Sequence, residues 1–223
     1  MTWHEDHRSK DGVLHHPADT EQWRVLNGVN SEFALEPRNV RLGLASDGFN
    51  PYGSMTLSHS TWPVILIPYN MPPWLCMKQS NMILSLLIPG PEQPGNDIDV
   101  FLEPLIDELK LLWNDGVQTY DSVKKETFIM RAALLWTIND YPAYGNLSGW
   151  STKGKVVCGV CLTNTCSLYL KGSQKTCFMG HCHFLDPSHP YRKEKSKFNN
   201  KIELEKAPPI RSGDDIEKEV KLL

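Results

Sequence analysis

A chain of 223 residues with 40% hydrophobic content can bury one core, or one core and a small satellite module. Its formal charge of -3 and pI near 6.2 exclude a protein that grips nucleic acid over its whole surface, so any DNA contact must be local. There is no apolar run of about eighteen residues, and Met1 to Lys10 is too polar for a secretory signal; the expectation is a soluble intracellular protein with no membrane partner.

Residues 1–37 are polar and rich in histidine, the texture of a loosely packed lead-in that Trp23, Val25 and Leu26 would pin; His15 and His16 read as solvated. From Val40 the texture changes. Val40, Leu42 and Leu44 alternate with Arg41, Gly43 and Ala45, and this period of two predicts a strand running into Ser46-Asp47-Gly48, with Asp47 at or near its end. Ser54 to Ser60, Trp62 to Tyr69 and Met82 to Ile88 read as further strands. Pro89-Gly90-Pro91 and Pro94-Gly95-Asn96 then mark a loop.

Leu105, Ile106, Leu109, Leu112 and Trp113 fall at helical spacing opposite Asp107, Glu108 and Lys110. They predict an amphipathic helix that tolerates Pro104 only near its first turn and stops at Asn114-Asp115-Gly116. Phe128 to Ile138 is apolar apart from Arg131 and Thr137 and leads into Asn139-Asp140-Tyr141-Pro142. This reads as a central strand whose last carboxylate emerges into a cleft, with a buried helix as the competing reading. Residues 193–223, introduced by Arg192, read as a basic exposed arm ending in an acidic amphipathic segment from Asp214.

Strands, then a helix, then a strand, with an acid closing the first strand and another closing a later one, is the layout of a ribonuclease-H-like sheet. There the two strands lie side by side, so Asp47 and Asp140 can face one another. Two converging carboxylates repel unless a cation lies between them, and hard Mg²⁺ (or Mn²⁺) prefers such oxygens. Ions held there can activate a water or a 3′ hydroxyl against a phosphodiester.

Five of the six cysteines, Cys158, Cys161, Cys166, Cys177 and Cys182, crowd into one stretch with histidines. Clustering of this kind in an intracellular protein reads as metal binding rather than as a disulfide framework. Cys158-x2-Cys161 is half of a tetrahedral Zn²⁺ site. Cys177 and His181 are one possible closure of that site. Lys153, Lys155, Lys171 and Lys175 are the best candidates for phosphate contacts, and Trp62, Trp74, Trp136 and Trp150 read as core.

The stretch Arg38-Asn39-Val40-Arg41-Leu42-Gly43-Leu44-Ala45-Ser46-Asp47-Gly48-Phe49-Asn50-Pro51 resembles the opening of the catalytic domain in plant CACTA (En/Spm-like) transposases. Tyr69-Asn70-Met71-Pro72-Pro73-Trp74, Leu87-Ile88-Pro89-Gly90-Pro91, Thr137-Ile138-Asn139-Asp140-Tyr141-Pro142 and Ser148-Gly149-Trp150-Ser151 follow in the family's order. The resemblance implies cut-and-paste DNA strand cleavage and joining in the nucleus. It matches Asp47 and Asp140 to the first two acids of an Asp-Asp-Glu triad. The implied partners are DNA at transposon ends and a full-length transposase. It also favours His181 with His189 as the second half of the zinc site. Where the family carries a basic pair after the residue matching His181, this chain has Cys182 and His183.

The family's third acid has no counterpart here, and Glu203, Glu205, Glu217 and Glu219 lie outside its sequence context. The family's amino-terminal DNA-binding region has no counterpart either. The expectation is therefore a transposase-derived chain that does not cut DNA by itself. Its fold would be α/β, a ribonuclease-H-like mixed sheet at residues 38–150 with a small Cys/His zinc-binding element at 151–192. The alternative is a non-catalytic zinc-containing module that binds DNA or protein.

Overall fold

The computed structural model describes residues 1–53, 58–197, 200–209 and 211–221, and the chain divides into two units, 1–148 and 149–223. The first unit contains, in order, α1 (Trp3–Asp6), α2 (Glu21–Val29), α3 (Ser31–Leu35), β1 (Val40–Ser46), β2 (Trp62–Pro68), α4 (Pro73–Cys76), β3 (Ile83–Ile88), α5 (Ile98–Asn114), β4 (Val117–Asp121), β5 (Glu126–Met130), β6 (Ala132–Ile138) and α6 (Tyr141–Ser148).

Four strands form a mixed sheet in the order β3-β2-β1-β6. β2 is antiparallel to both its neighbours, while β1 and β6 run parallel. A parallel neighbour needs a long crossover, and α5 lies within it. Alternation along the strands separates two cores. Leu42, Leu44, Val64, Leu66 and Ile88 pack with Ile98, Leu102, Leu105 and Leu109 of α5 and with Ala143 of α6. On the other face Ile67, Tyr69 and Cys76 pack with Ala18 and Trp23, flanked by Ala45, Ile65, Leu135 and Trp136.

The second core corrects the expectation of a loose lead-in. Residues 3–35 hold three α-helices and a 3-10 helix at Pro17–Asp19, and His4, His16, Ala18, Trp23 and Phe33 are buried. They have something specific to cover, because Arg41 of β1 points its guanidinium into this layer and is 1% exposed. The group donates to the Asn39 carbonyl and to Asn27 Oδ1, and lies 4.8 Å from both the Trp23 and Phe33 ring centres. His16, expected in solvent, is held by the Ala18 N–H on Nδ1 and by a 3.1 Å contact from Nε2 to the Met71 carbonyl. With Nδ1 accepting, Nε2 carries the proton and donates.

Three further expectations shift. The apolar stretch at 128–138 is two strands, because the Arg131 amide donates to Asn39 Oδ1 and its carbonyl accepts from Val40. β5 then turns away to pair with β4 in a hairpin clamped by Arg38, which bonds Glu36, Asp121 and Glu126 and lies over the Phe128 ring. Helix α5 begins at Ile98, so Pro104 is interior to it. Buried Ile98 and Leu102 anchor the early turns, and Pro104 sits on the exposed side, where water can take up the freed carbonyl. Of the strand expected at 54–60, residues 54–57 lie outside the described residues and 58–60 are not strand; an isolated bridge joins Phe49 to Thr61 instead.

The second unit is built on a hairpin of β7 (Ser167–Leu170) and β8 (Lys175–Phe178), followed by tight turns at 181–184 and 190–193 and by α7 (Gly213–Val220). Val157 and Leu162 are its most buried apolar side chains. Arg192, expected on an exposed arm, is buried. It donates to the carbonyls of Cys182, His183, Leu185, Glu203 and Glu205, a set of five acceptors that suits a fixed guanidinium fork.

Candidate active site

Asp47 directly follows β1, and Asp140 stands two residues beyond the end of β6. Both strands end on the same side of the sheet because they are adjacent and parallel, with axes about 4.8 Å apart. The register between them carries one irregularity: Leu42 pairs with Leu134 but Gly43 with Trp136, which leaves Leu135 as a bulge. Beyond it Leu44 pairs with Thr137 and Ala45 with Ile138.

That extra residue has two consequences. Counting on from Ala45 and Ile138, Asp47 falls opposite Asp140, whereas an unbulged ladder would set Asn139 there. It also switches the face of everything after it. Leu135 and Trp136 both pack on the Tyr69 side, and the restored alternation holds as far as Ile138, where β6 ends.

The backbone around each acid is tightly specified. Asp47 Oδ1 accepts from the Gly48 amide at 2.7 Å. Gly48 is packed so closely that a Cβ there would stand 2.5 Å from Trp62 Nε1 and 2.6 Å from Ser60 Oγ. Asp140 caps α6, with Oδ1 accepting from the Ala143 amide at 2.8 Å. Each carboxylate thus uses one oxygen on its own backbone and is exposed. The donors fit a hard divalent cation, since charged oxygens from two neighbouring strands are the ligands Mg²⁺ takes. A cavity of about 650 Å³ is lined by residues of α5, α6 and β6, and neither acid lines it.

In the second unit the Cys158 and Cys161 thiols lie on one tight turn, with the Cys161 amide 3.4 Å from Cys158 Sγ. Burial opposes charge on Cys158, but amide donation from Cys161 and Val160 outweighs it and lowers the thiol below its ordinary range. Cys161 moves up, through burial and through its neighbour Cys158. This is how a Cys-x2-Cys turn stabilises a first thiolate. The other expected ligands stand elsewhere. Cys177 pairs with Leu168 in the hairpin, His181 opens the 181–184 turn, and His189 Nδ1 accepts from the Tyr191 amide. Among the described residues, no three His, Cys, Asp or Glu side chains stand together as an ion would need. Sequence reasoning missed the bulge at Leu135 and the buried roles of His183 and Arg192.

The chain matches the transposase family tnp2 over residues 11–223. It belongs to that family. The match takes in both units, and with it both acids and the whole cysteine-rich stretch. No curated protein matches the chain. The mixed sheet of this tnp2 chain thus sits in a transposase-derived protein, and no helix among its described residues is long and apolar enough to cross a membrane.

Proposed function

We propose that the chain is the catalytic-domain portion of a CACTA (En/Spm-like) transposase, with a ribonuclease-H-like sheet that presents Asp47 and Asp140 to one divalent cation. What supports this reading is the Leu135 bulge, because the register beyond it, continued past the strand ends, sets Asp47 opposite Asp140. Strand order supports it too: the first three strands form an antiparallel meander, and the acid-bearing β6 joins beside β1 after a helical crossover.

Mg²⁺ or Mn²⁺ bound there would polarise a phosphodiester and lower the pKa of an attacking water or hydroxyl. The chain's own contribution is placement. Gly48 against Trp62 fixes the turn that bears Asp47, and the cap of α6 fixes Asp140. Two carboxylates do not offset the charge of two ions, so these residues by themselves do not cleave DNA. Zinc in the second unit, begun by Cys158 and Cys161, would serve to fold that element.

The partner is transposon-end DNA, met in the nucleus. The test is the purified chain with DNA carrying terminal repeats of a related element, in Mg²⁺ or Mn²⁺. No nicking is expected. Metal-dependent nicking that is lost in Asp47→Ala would show that a later acid such as Glu203 or Glu205 completes the site, and would overturn the reading of an inactive chain. Sequence-specific binding with no effect of divalent metal or of Asp47→Ala would favour the non-catalytic module.

A further inference from the structure

We propose that a cavity in the first unit, lined by Arg131 where β5 gives way to β6, binds a phosphate group borne either by DNA or by a small phosphate ester. The site is separate from the two acids and needs no metal. Arg131 precedes β6 and Asp140 follows it, so roughly 20 Å of strand lies between them. The cavity measures about 480 Å³, and Ser31 and Phe33 of α3, Trp113 and Asn114 at the end of α5, and Arg131 all line it.

Arg131 has donors to spare. Arg8 bonds the Ala18 carbonyl and Asp19, Arg38 bonds three carboxylates, Arg41 bonds the Asn39 carbonyl and Asn27, and Arg192 bonds five carbonyls. Among the described residues the Arg131 Nε is buried with no partner, and the carboxylate paired with its Nη1, Glu32 Oε2, stands 3.9 Å away, beyond hydrogen-bonding reach. A buried donor left unmet is unfavourable, and such groups usually face an ion or a water.

The side chain is nevertheless held in place. The Arg131 amide donates to Asn39 Oδ1 and its carbonyl accepts from the Val40 amide. Its stem lies against Gly116, where a Cβ would stand 3.0 Å from Arg131 Cγ. The Phe33 and Trp113 rings, with centres 5.2 Å apart, give the cavity an apolar wall, and low local dielectric strengthens a charge-assisted bond. A planar carboxylate is satisfied by the guanidinium fork alone, whereas the tetrahedral oxygens of a phosphate also take donors from other directions. The Ser31 hydroxyl and the Asn114 amide supply them. Glu32 also lines the cavity and repels an anion, but its side chain is 88% exposed and can turn into water as the phosphate enters.

The test is thermal unfolding of the full chain in inorganic phosphate against sodium chloride of equal ionic strength, with an apparent affinity taken from the phosphate dependence. Phosphate should stabilise the parent. Arg131→Gln should weaken the apparent affinity by about tenfold or more, as loss of charge-assisted hydrogen bonds does. Glu32→Gln should strengthen it by about twofold to fivefold, a gain that a merely structural role for Arg131 does not produce. A fluorescent DNA duplex of unrelated sequence separates the two sources. A duplex that phosphate displaces and that binds more weakly to Arg131→Gln assigns the site to the DNA backbone, and a duplex indifferent to both assigns it to a free phosphate ester; either upholds the site. A readout on the unaltered chain covers the case of a misfolded variant: phosphate should protect Arg131 from phenylglyoxal, as mapped by mass spectrometry, and leave Arg24 open to it. Equal stabilisation by phosphate and chloride, a phosphate response that survives Arg131→Gln, or no protection of Arg131 overturns the proposal.

Discussion

Gly43→Ala is the perturbation that ties the sheet to the site most closely. A Cβ at this position meets the Tyr69 ring, closest at its hydroxyl and 2.7 and 2.9 Å from Cε2 and Cζ. The ring cannot swing away without cost, being 5% exposed, 5.4 Å from the Trp136 ring centre, and bonded through its hydroxyl to Trp136 Nε1 at 3.3 Å. Overpacking of this kind costs about 1–3 kcal/mol. For a unit near 150 residues that lowers the unfolding temperature by about 2–4 °C per kcal/mol. Trp136 is the residue after the bulged Leu135, so the strain falls on the segment that sets Asp140. The assay is thermal unfolding of Gly43→Ala, Tyr69→Phe and the double variant. Tyr69→Phe in the parent loses one hydrogen bond, about 1 kcal/mol, whereas in the Gly43→Ala background it relieves the closest contact and should cost less or stabilise. A Gly43→Ala chain within about 0.5 kcal/mol of the parent, with the two substitutions additive, would refute the close approach of Tyr69 to β1.

Acid dependence tests the two charged clusters of the first unit. The Arg38 guanidinium, with the Lys124 and Val123 amides, holds the Asp121 carboxyl at about 2, below its ordinary 3.8. A carboxyl lowered by folding contributes stability present above the unfolded value and lost as pH falls through the folded one, so denaturant unfolding should weaken between pH 3.8 and 2, and Arg38→Gln should flatten that part of the curve. His4 is lowered from 6.5 to about 4, first by burial and then by the Arg41 charge, so the unfolded chain takes up that proton first. Stability should be level above pH 6.5 and fall from 6.5 toward 4, and His4→Gln should remove about one proton from that slope; an unchanged slope would contradict the burial of His4. Asp140→Asn keeps a cap as good as aspartate on α6, so unfolding should hardly move while divalent-ion binding is lost, whereas Asp140→Ala should lose binding and about 1 kcal/mol as well.

What could be read from the sequence followed from local pattern. Alternation at Val40 to Ala45 and the apolar runs at Trp62 and Met82 gave β1, β2 and β3 nearly to their ends, because half-buried strands advertise their period. The apolar spacing of Leu105 to Trp113 gave the body of α5, but not its first turns, whose anchors Ile98 and Leu102 lie beyond Pro104. The amino-terminal helices were hidden because their packing answers one distant residue, Arg41, whose burial no local pattern records. β4 and the split at Arg131 were hidden likewise, since the hairpin depends on Arg38, far away in sequence. Asp47 and Asp140 stood out by position and by resemblance. The register that leads toward them depends on one bulged residue, and nothing in Leu134-Leu135-Trp136 marks which of the three is the extra one.

The proposed site stands or falls on whether Asp47 and Asp140 share one cation. Titration of the chain with Mn²⁺, followed by the loss of the free-ion paramagnetic resonance signal, measures it directly. One bound ion is expected, displaced by Mg²⁺ and lost equally in Asp47→Asn and Asp140→Asn, with both variants folded. Binding that survives either substitution, or that is lost in one and untouched in the other, would contradict it.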